Sequence, residues 1–109
     1  LEVGTRCVRA FDAQARVAEM ADAEVDWSAL LVHFHNLDGL LHRMWPELDL
    51  DDTGPGRPEW QAPALACLVA LDRAIGRLLE LADRRSAAVV VVSDHGFGPC
   101  RAIVNTNGI

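Results

Sequence analysis

The chain contains no lysine and no tyrosine, and apart from four histidines its basic residues are ten arginines. Against sixteen acidic residues these give a net charge of −6 at pH 7, which disfavours non-specific binding to nucleic acids or anionic membrane surfaces. No apolar run approaches the roughly 18 residues that a transmembrane helix requires. The longest run, residues 62–71, is interrupted by Pro63. The sequence therefore predicts neither a nucleic-acid polymer as partner nor a membrane span.

Cysteine is also scarce, since Cys7, Cys67 and Cys100 are an odd number and lie far apart. This excludes a disulfide framework and a CxxC zinc site, and it favours a reduced, intracellular chain. The sequence begins at Leu1 without a methionine and resembles no signal peptide. We therefore expect residues 1–109 to be one partial domain that is truncated at both ends.

Hydrophobic periodicity predicts three helices and two strands. The predicted elements are, in chain order, a helix over residues 5–23, a strand over 28–35, a short helix over 36–45, a long helix over 59–83 and a strand over 87–93. Residues 49–58 form an acidic loop that departs from the calcium-binding EF-hand pattern. The alternation of helices and strands predicts an α/β fold, a fragment of a mostly parallel sheet flanked by helices.

An aspartate and a histidine follow each predicted strand. Asp38 and His42 are four residues apart on a helix, which places them on one face, and Asp94 and His95 are adjacent in a glycine-rich turn. In parallel α/β sheets ligands bind beyond the carboxyl ends of the strands, and a right-handed crossover brings neighbouring ends together. We therefore expect the four side chains to meet and to hold two divalent metal ions, with zinc favoured by the imidazoles.

Each Asp/His pair taken alone also fits a surface hydrogen bond, and nearby polar residues leave alternatives open. His33 and His35 share a face of the first predicted strand, where they fit packing, although His35 could orient a metal ligand. Ser93 lacks a Ser-x-Gly elbow and is predicted to be a strand-end residue rather than a nucleophile. Trp45 is either a packing residue or the border of a substrate pocket.

Three stretches resemble the alkaline phosphatase superfamily, and more closely its type I phosphodiesterase/nucleotide pyrophosphatase branch. They are DGLLH at residues 38–42, LDRAIG at 71–76 and VVSDHGFGP at 91–99. The resemblance covers most of residues 29–109. It implies a central sheet flanked by helices, two metal ions that are usually zinc, and a threonine or serine nucleophile that attacks phosphorus. By position, it assigns Asp38 and His42 to one metal ion and Asp94 and His95 to the other.

The resemblance also implies an upstream aspartate, an upstream nucleophile and a downstream histidine, none of which this sequence contains. We therefore expect a fragment of a metal-dependent phosphodiesterase or phosphatase that acts on phosphate esters or nucleotide-type phosphodiesters, inactive by itself. Other members of the superfamily (a phosphomutase, a sulfatase or a phosphoethanolamine transferase) remain alternatives. So does a non-catalytic binding module, in which the Asp/His pairs are polar turn residues.

Overall fold

A computed structural model describes residues 2–48 and 57–99 of the chain. Within these ranges it contains three α-helices, α1 (Glu2–Glu24), α2 (Asn36–Met44) and α3 (Pro58–Arg84), and a 3-10 turn at Pro46–Leu48. The three helices confirm those expected from the periodicity, with ends that differ by a few residues. The predicted acidic loop over residues 49–58 lies mostly outside the described residues.

The two long helices begin and continue where their sequences favour it. Pro58 occupies the first turn of α3, where its missing N–H costs no hydrogen bond. Pro63 lies one turn further on, inside the helix, so it does not delay the start of the helix. At the far end, the backbone N–H of Arg85 donates to the carbonyls of the last turn and closes α3.

The core lies between α1 and α3, with α2 packed against both. Phe11 and Ala15 of α1 are fully buried against Ala64 and Cys67 of α3 and Leu40 of α2. Alanines at these positions have short side chains, so the helix axes can approach closely. Beyond the core, Arg77 of α3 donates hydrogen bonds to Asp12 and Glu19 of α1 and extends the contact between the helices.

The expected parallel sheet is absent from residues 2–48 and 57–99, and the prediction of an α/β sheet fragment is wrong for them. Residues 28–35 and 87–93 are irregular segments, and no backbone hydrogen bond joins one to the other in the described chain. Leu31 is 91% exposed and Val90 is 82% exposed. Apolar, β-branched runs indicate a propensity for strands, but a strand forms only where a neighbouring strand pairs with its backbone.

The first of these segments is nevertheless fixed against α1. The Gln14 side-chain amide donates to the carbonyl of His33 at 2.8 Å. Phe34 packs edge-on against Phe11, with ring centroids 6.0 Å apart. These contacts hold the chain just before α2, and they therefore position the helix that carries Asp38 and His42.

Candidate functional site

The first Asp/His pair lies on the outer side of α2. Leu40 and Met44 are buried, which turns the opposite side of the helix, with Asp38 and His42, towards solvent. The His42 Nε2 atom is 3.5 Å from Asp38 Oδ1. This i,i+4 pair therefore has the shared face that the sequence spacing predicted.

The second pair reaches the first from the segment that follows α3. The His95 Nε2 atom lies 4.0 Å from the same Asp38 Oδ1 atom and 3.7 Å from Asp94 Oδ2. Asp38 therefore stands between two imidazoles, one on its own helix and one from a distant part of the chain. Asp94 is in contact with His95 but not with the α2 pair in the described structure, and its side chain is 89% exposed.

Hydrogen bonds within the turn orient the His95 ring. The His95 Nδ1 atom is 2.8 Å from the Gly96 carbonyl oxygen, which can only accept, so Nδ1 carries the proton. In the neutral ring this leaves the Nε2 lone pair facing Asp38. The backbone N–H of His95 donates to Asp94 Oδ1 at 3.1 Å, and the Ser93 hydroxyl donates to the His95 carbonyl. Ser93 is thus engaged in its own turn, and its expected role as a non-nucleophile stays a prediction.

The charges and hydrogen bonds around His95 favour its protonated form. The hydrogen bond to the Gly96 carbonyl raises the pKa of His95, and the carboxylates of Asp94 and Asp38 act in the same direction. A proton or a metal ion at Nε2 would relieve the same negative charge. The side chains stay open to water, since Asp38 is 35% exposed and His42 is 67% exposed.

Phe97 connects the turn to α2 and is the residue that sequence reasoning missed. Its ring meets the His42 ring edge-to-face at 4.8 Å between centroids, and it lies 5.3 Å from the Trp45 ring. Trp45 therefore packs beside the candidate ligands. The available signal was the position of Phe97 two residues after His95, in the stretch that carries the family resemblance.

A protein-family model matches most of the chain. The model for type I phosphodiesterase / nucleotide pyrophosphatase matches residues 4–109. The chain belongs to this family. Comparison with curated proteins gives no match, and neither does comparison with solved structures. Type I phosphodiesterases and nucleotide pyrophosphatases act on phosphate-ester substrates, so the family to which this chain belongs is one of hydrolases.

Carboxylate and imidazole groups such as those of Asp38, His42, Asp94 and His95 are ligands for divalent cations, but the described side chains do not form a complete site. Ligand atoms on one tetrahedral zinc ion lie about 3.4 Å apart, given zinc–ligand distances of about 2.0–2.1 Å. The Asp38 and His42 atoms, which are 3.5 Å apart, match this separation. His95 Nε2 lies further from Asp38 Oδ1, at 4.0 Å. Within residues 2–48 and 57–99 no group of three or more His, Cys, Asp or Glu side chains could hold a metal ion. The role of the four residues as ligands stays a prediction.

The remaining sequence candidates lie apart from this cluster. The His33 and His35 rings are 5.5 Å apart and form no hydrogen bond or ion pair with the four predicted ligands in the described structure. Cys100 lies outside the described residues. None of the described helices has the length and apolar character needed to cross a membrane.

Proposed function

We propose that this chain supplies part of a two-metal centre in a phosphodiesterase or nucleotide pyrophosphatase. Asp38 and His42 would hold one divalent ion, and Asp94 and His95 would hold the other, with zinc as the favoured metal. The observation that carries the proposal is the approach of His95 Nε2 to Asp38 Oδ1 at 4.0 Å from a distant part of the sequence. Bound metal ions of this kind clamp a phosphoryl group and stabilise its attacking and leaving oxygens.

The side chains of this chain prepare the site in two ways. The Gly96 carbonyl holds the proton on His95 Nδ1, which leaves Nε2 available as a ligand atom. Asp38 supplies negative charge between the two imidazoles. A cation placed there offsets the repulsion between the carboxylates and an anionic phosphodiester. Two protein ligands for each ion are fewer than the three usual in catalytic zinc sites. We therefore propose that further ligands and the nucleophile come from outside this sequence, and that the chain alone is inactive.

Zinc titration of the purified chain, followed by calorimetry, tests the metal assignment. Asp38→Asn and His95→Gln should each weaken zinc binding by at least about tenfold, because each removes one of few ligands. His33→Gln is the matched control, since His33 is an exposed histidine with no bond to the cluster. Unchanged binding in Asp38→Asn, or equal loss in His33→Gln, would favour the non-catalytic binding module.

Hydrolysis of a chromogenic phosphodiester tests the second part of the proposal. The zinc-saturated chain should show no turnover above the zinc-only blank. Turnover that disappears in Asp38→Asn would support the metal site but refute the inactivity of the isolated chain.

A further inference from the structure

The helices α1 and α3 are in close contact where Gly4 meets Pro63. A Cβ atom added to Gly4 would lie 3.2 Å from the Cβ atom of Pro63, so these two backbones are almost in contact. One turn further along α3, the Cys67 Sγ atom is 3.5 Å from the Gly4 carbonyl oxygen. The absence of a side chain on Gly4 is what allows this approach.

Two free thiols lie near this crossing, one on each helix. Cys7 is one turn after Gly4 on α1, as Cys67 is one turn after Pro63 on α3. Both cysteines are free, and Cys7 packs against the cluster of buried residues that includes Cys67. Their burial differs, because Cys67 is completely buried whereas Cys7 is half-buried.

We propose that Cys7 and Cys67 are a redox-active dithiol pair that closes to an intramolecular disulfide between α1 and α3 when a hydroperoxide is present. This site is separate from the proposed metal centre and does not depend on it. The geometry assigns the two thiols different parts in the reaction, since only Cys7 is open to a reagent from solvent.

The reaction has two steps. The Cys7 thiol loses its proton, and the thiolate attacks one peroxide oxygen. The O–O bond breaks, and the other oxygen leaves as hydroxide, takes up that proton and becomes water, which gives a sulfenic acid on Cys7. The Cys67 sulfur then attacks the Cys7 sulfur, the S–S bond forms, and the S–O bond breaks. The hydroxide released takes the proton of the Cys67 thiol and leaves as water. In total, two thiols are oxidised while one hydrogen peroxide molecule is reduced to two waters.

The surroundings of Cys67 fit this order of events. Burial raises the pKa of Cys67 to about 11, and the neighbouring Cys7 adds to the effect. The Cys67 thiol therefore stays protonated at neutral pH and is a poor first nucleophile towards peroxide. The Cys67 thiol reacts only after the Cys7 sulfur next to it has been oxidised.

Oxidation of the full chain with hydrogen peroxide tests the proposal. The experiment contains a metal chelator, and non-reducing peptide mapping identifies the bridges. Folded wild-type chain should give the Cys7–Cys67 bridge as the main product. The chain unfolded in urea is the reference, because loop closure there favours the shorter Cys67–Cys100 separation. The same main bridge in folded and unfolded chain would overturn the proposal.

Variants make the test sharper. In Cys100→Ser the bridge should still form, and its formation should raise Tm by at least about 5 °C because it restricts the unfolded chain. Cys7→Ser and Cys67→Ala should each abolish both the bridge and the Tm rise, whereas Asp38→Asn should leave them unchanged. Cys7 sulfinic acid without a bridge, or a disulfide between two chains as the main product, would also overturn the proposal.

Discussion

At the scale of single residues, Asp38 links the two halves of the candidate site. Its Oδ1 atom faces His42 on the same helix and His95 on the turn after α3. The first neighbour follows from four-residue spacing on a helix, which is local and can be predicted from sequence. The second depends on how the segment after α3 lies against α2, and this is a tertiary contact.

Phe97→Leu tests whether the aromatic contact orients a metal ligand. Loss of the edge-to-face contact with His42 should weaken zinc binding by about two- to tenfold, from the roughly 0.5–1.5 kcal/mol that such ring pairs contribute. Calorimetric titration measures the affinity. Phe97→Tyr keeps the ring and should bind zinc like the wild type. If both variants bind like the wild type, the ring contact does not position His42.

At the scale of elements, Arg77 joins the two long helices. Its Nε atom donates to Glu19 Oε1 at 2.8 Å, and its Nη1 atom donates to Asp12 Oδ1 at 2.7 Å. The hydrogen bond from Arg77 lowers the pKa of Glu19, while burial opposes this shift. Arg77 is only partly exposed because the acids of α1 face it.

Arg77→Met should lower the free energy of unfolding only modestly, because the three side chains of the ion pairs are partly exposed to solvent. In the folded chain the pKa of Glu19 lies below its ordinary value of 4.5. The Glu19 contribution is therefore fully present above about pH 4.5 and is lost as the pH falls through the folded-state pKa. Urea unfolding at several pH values measures the difference from the wild type.

Arg73→Met is the control for this experiment. Arg73 is an exposed arginine on the same helix, and it forms no ion pair in the described structure. Its replacement should change stability little at any pH. A stability loss in Arg77→Met that persisted unchanged at acid pH would show that packing, rather than the ion pairs, accounts for it.

The helices could be predicted from sequence and the sheet could not, for a physical reason. Residues such as Phe11 and Ala15 recur with the helical period, and a helix satisfies its own backbone within the same segment. The valines of residues 89–92 indicate a strand just as clearly. A strand, however, needs a partner, and the described chain provides none beside this segment.

At the scale of the whole molecule, the family match bears on the reaction, whereas the architecture bears on where the candidate ligands lie. The family match extends over residues 4–109 and gives the reaction class. The described architecture is a packing of helices, with the candidate ligands on its surface. We expected Asp38 and His95 to meet because the ends of neighbouring parallel strands lie together. The structure brings them within 4.0 Å although the described residues do not form those strands. Packing of α2 and the Phe97 contact account for their proximity instead.

The exposed valines have a consequence for the chain at high concentration. Val90, Val91 and Val92 are each about four-fifths exposed, uncharged and β-branched, a composition typical of segments that stack into cross-β fibres. We expect the isolated chain to form thioflavin-positive fibrils with a concentration-dependent lag. Val91→Lys should abolish them, because stacked copies would align like charges. Val17→Lys adds the same charge to an exposed position of α1 and should leave the lag unchanged. The segment, which has no strand partner among the described residues of one chain, can thus find one in identical neighbours.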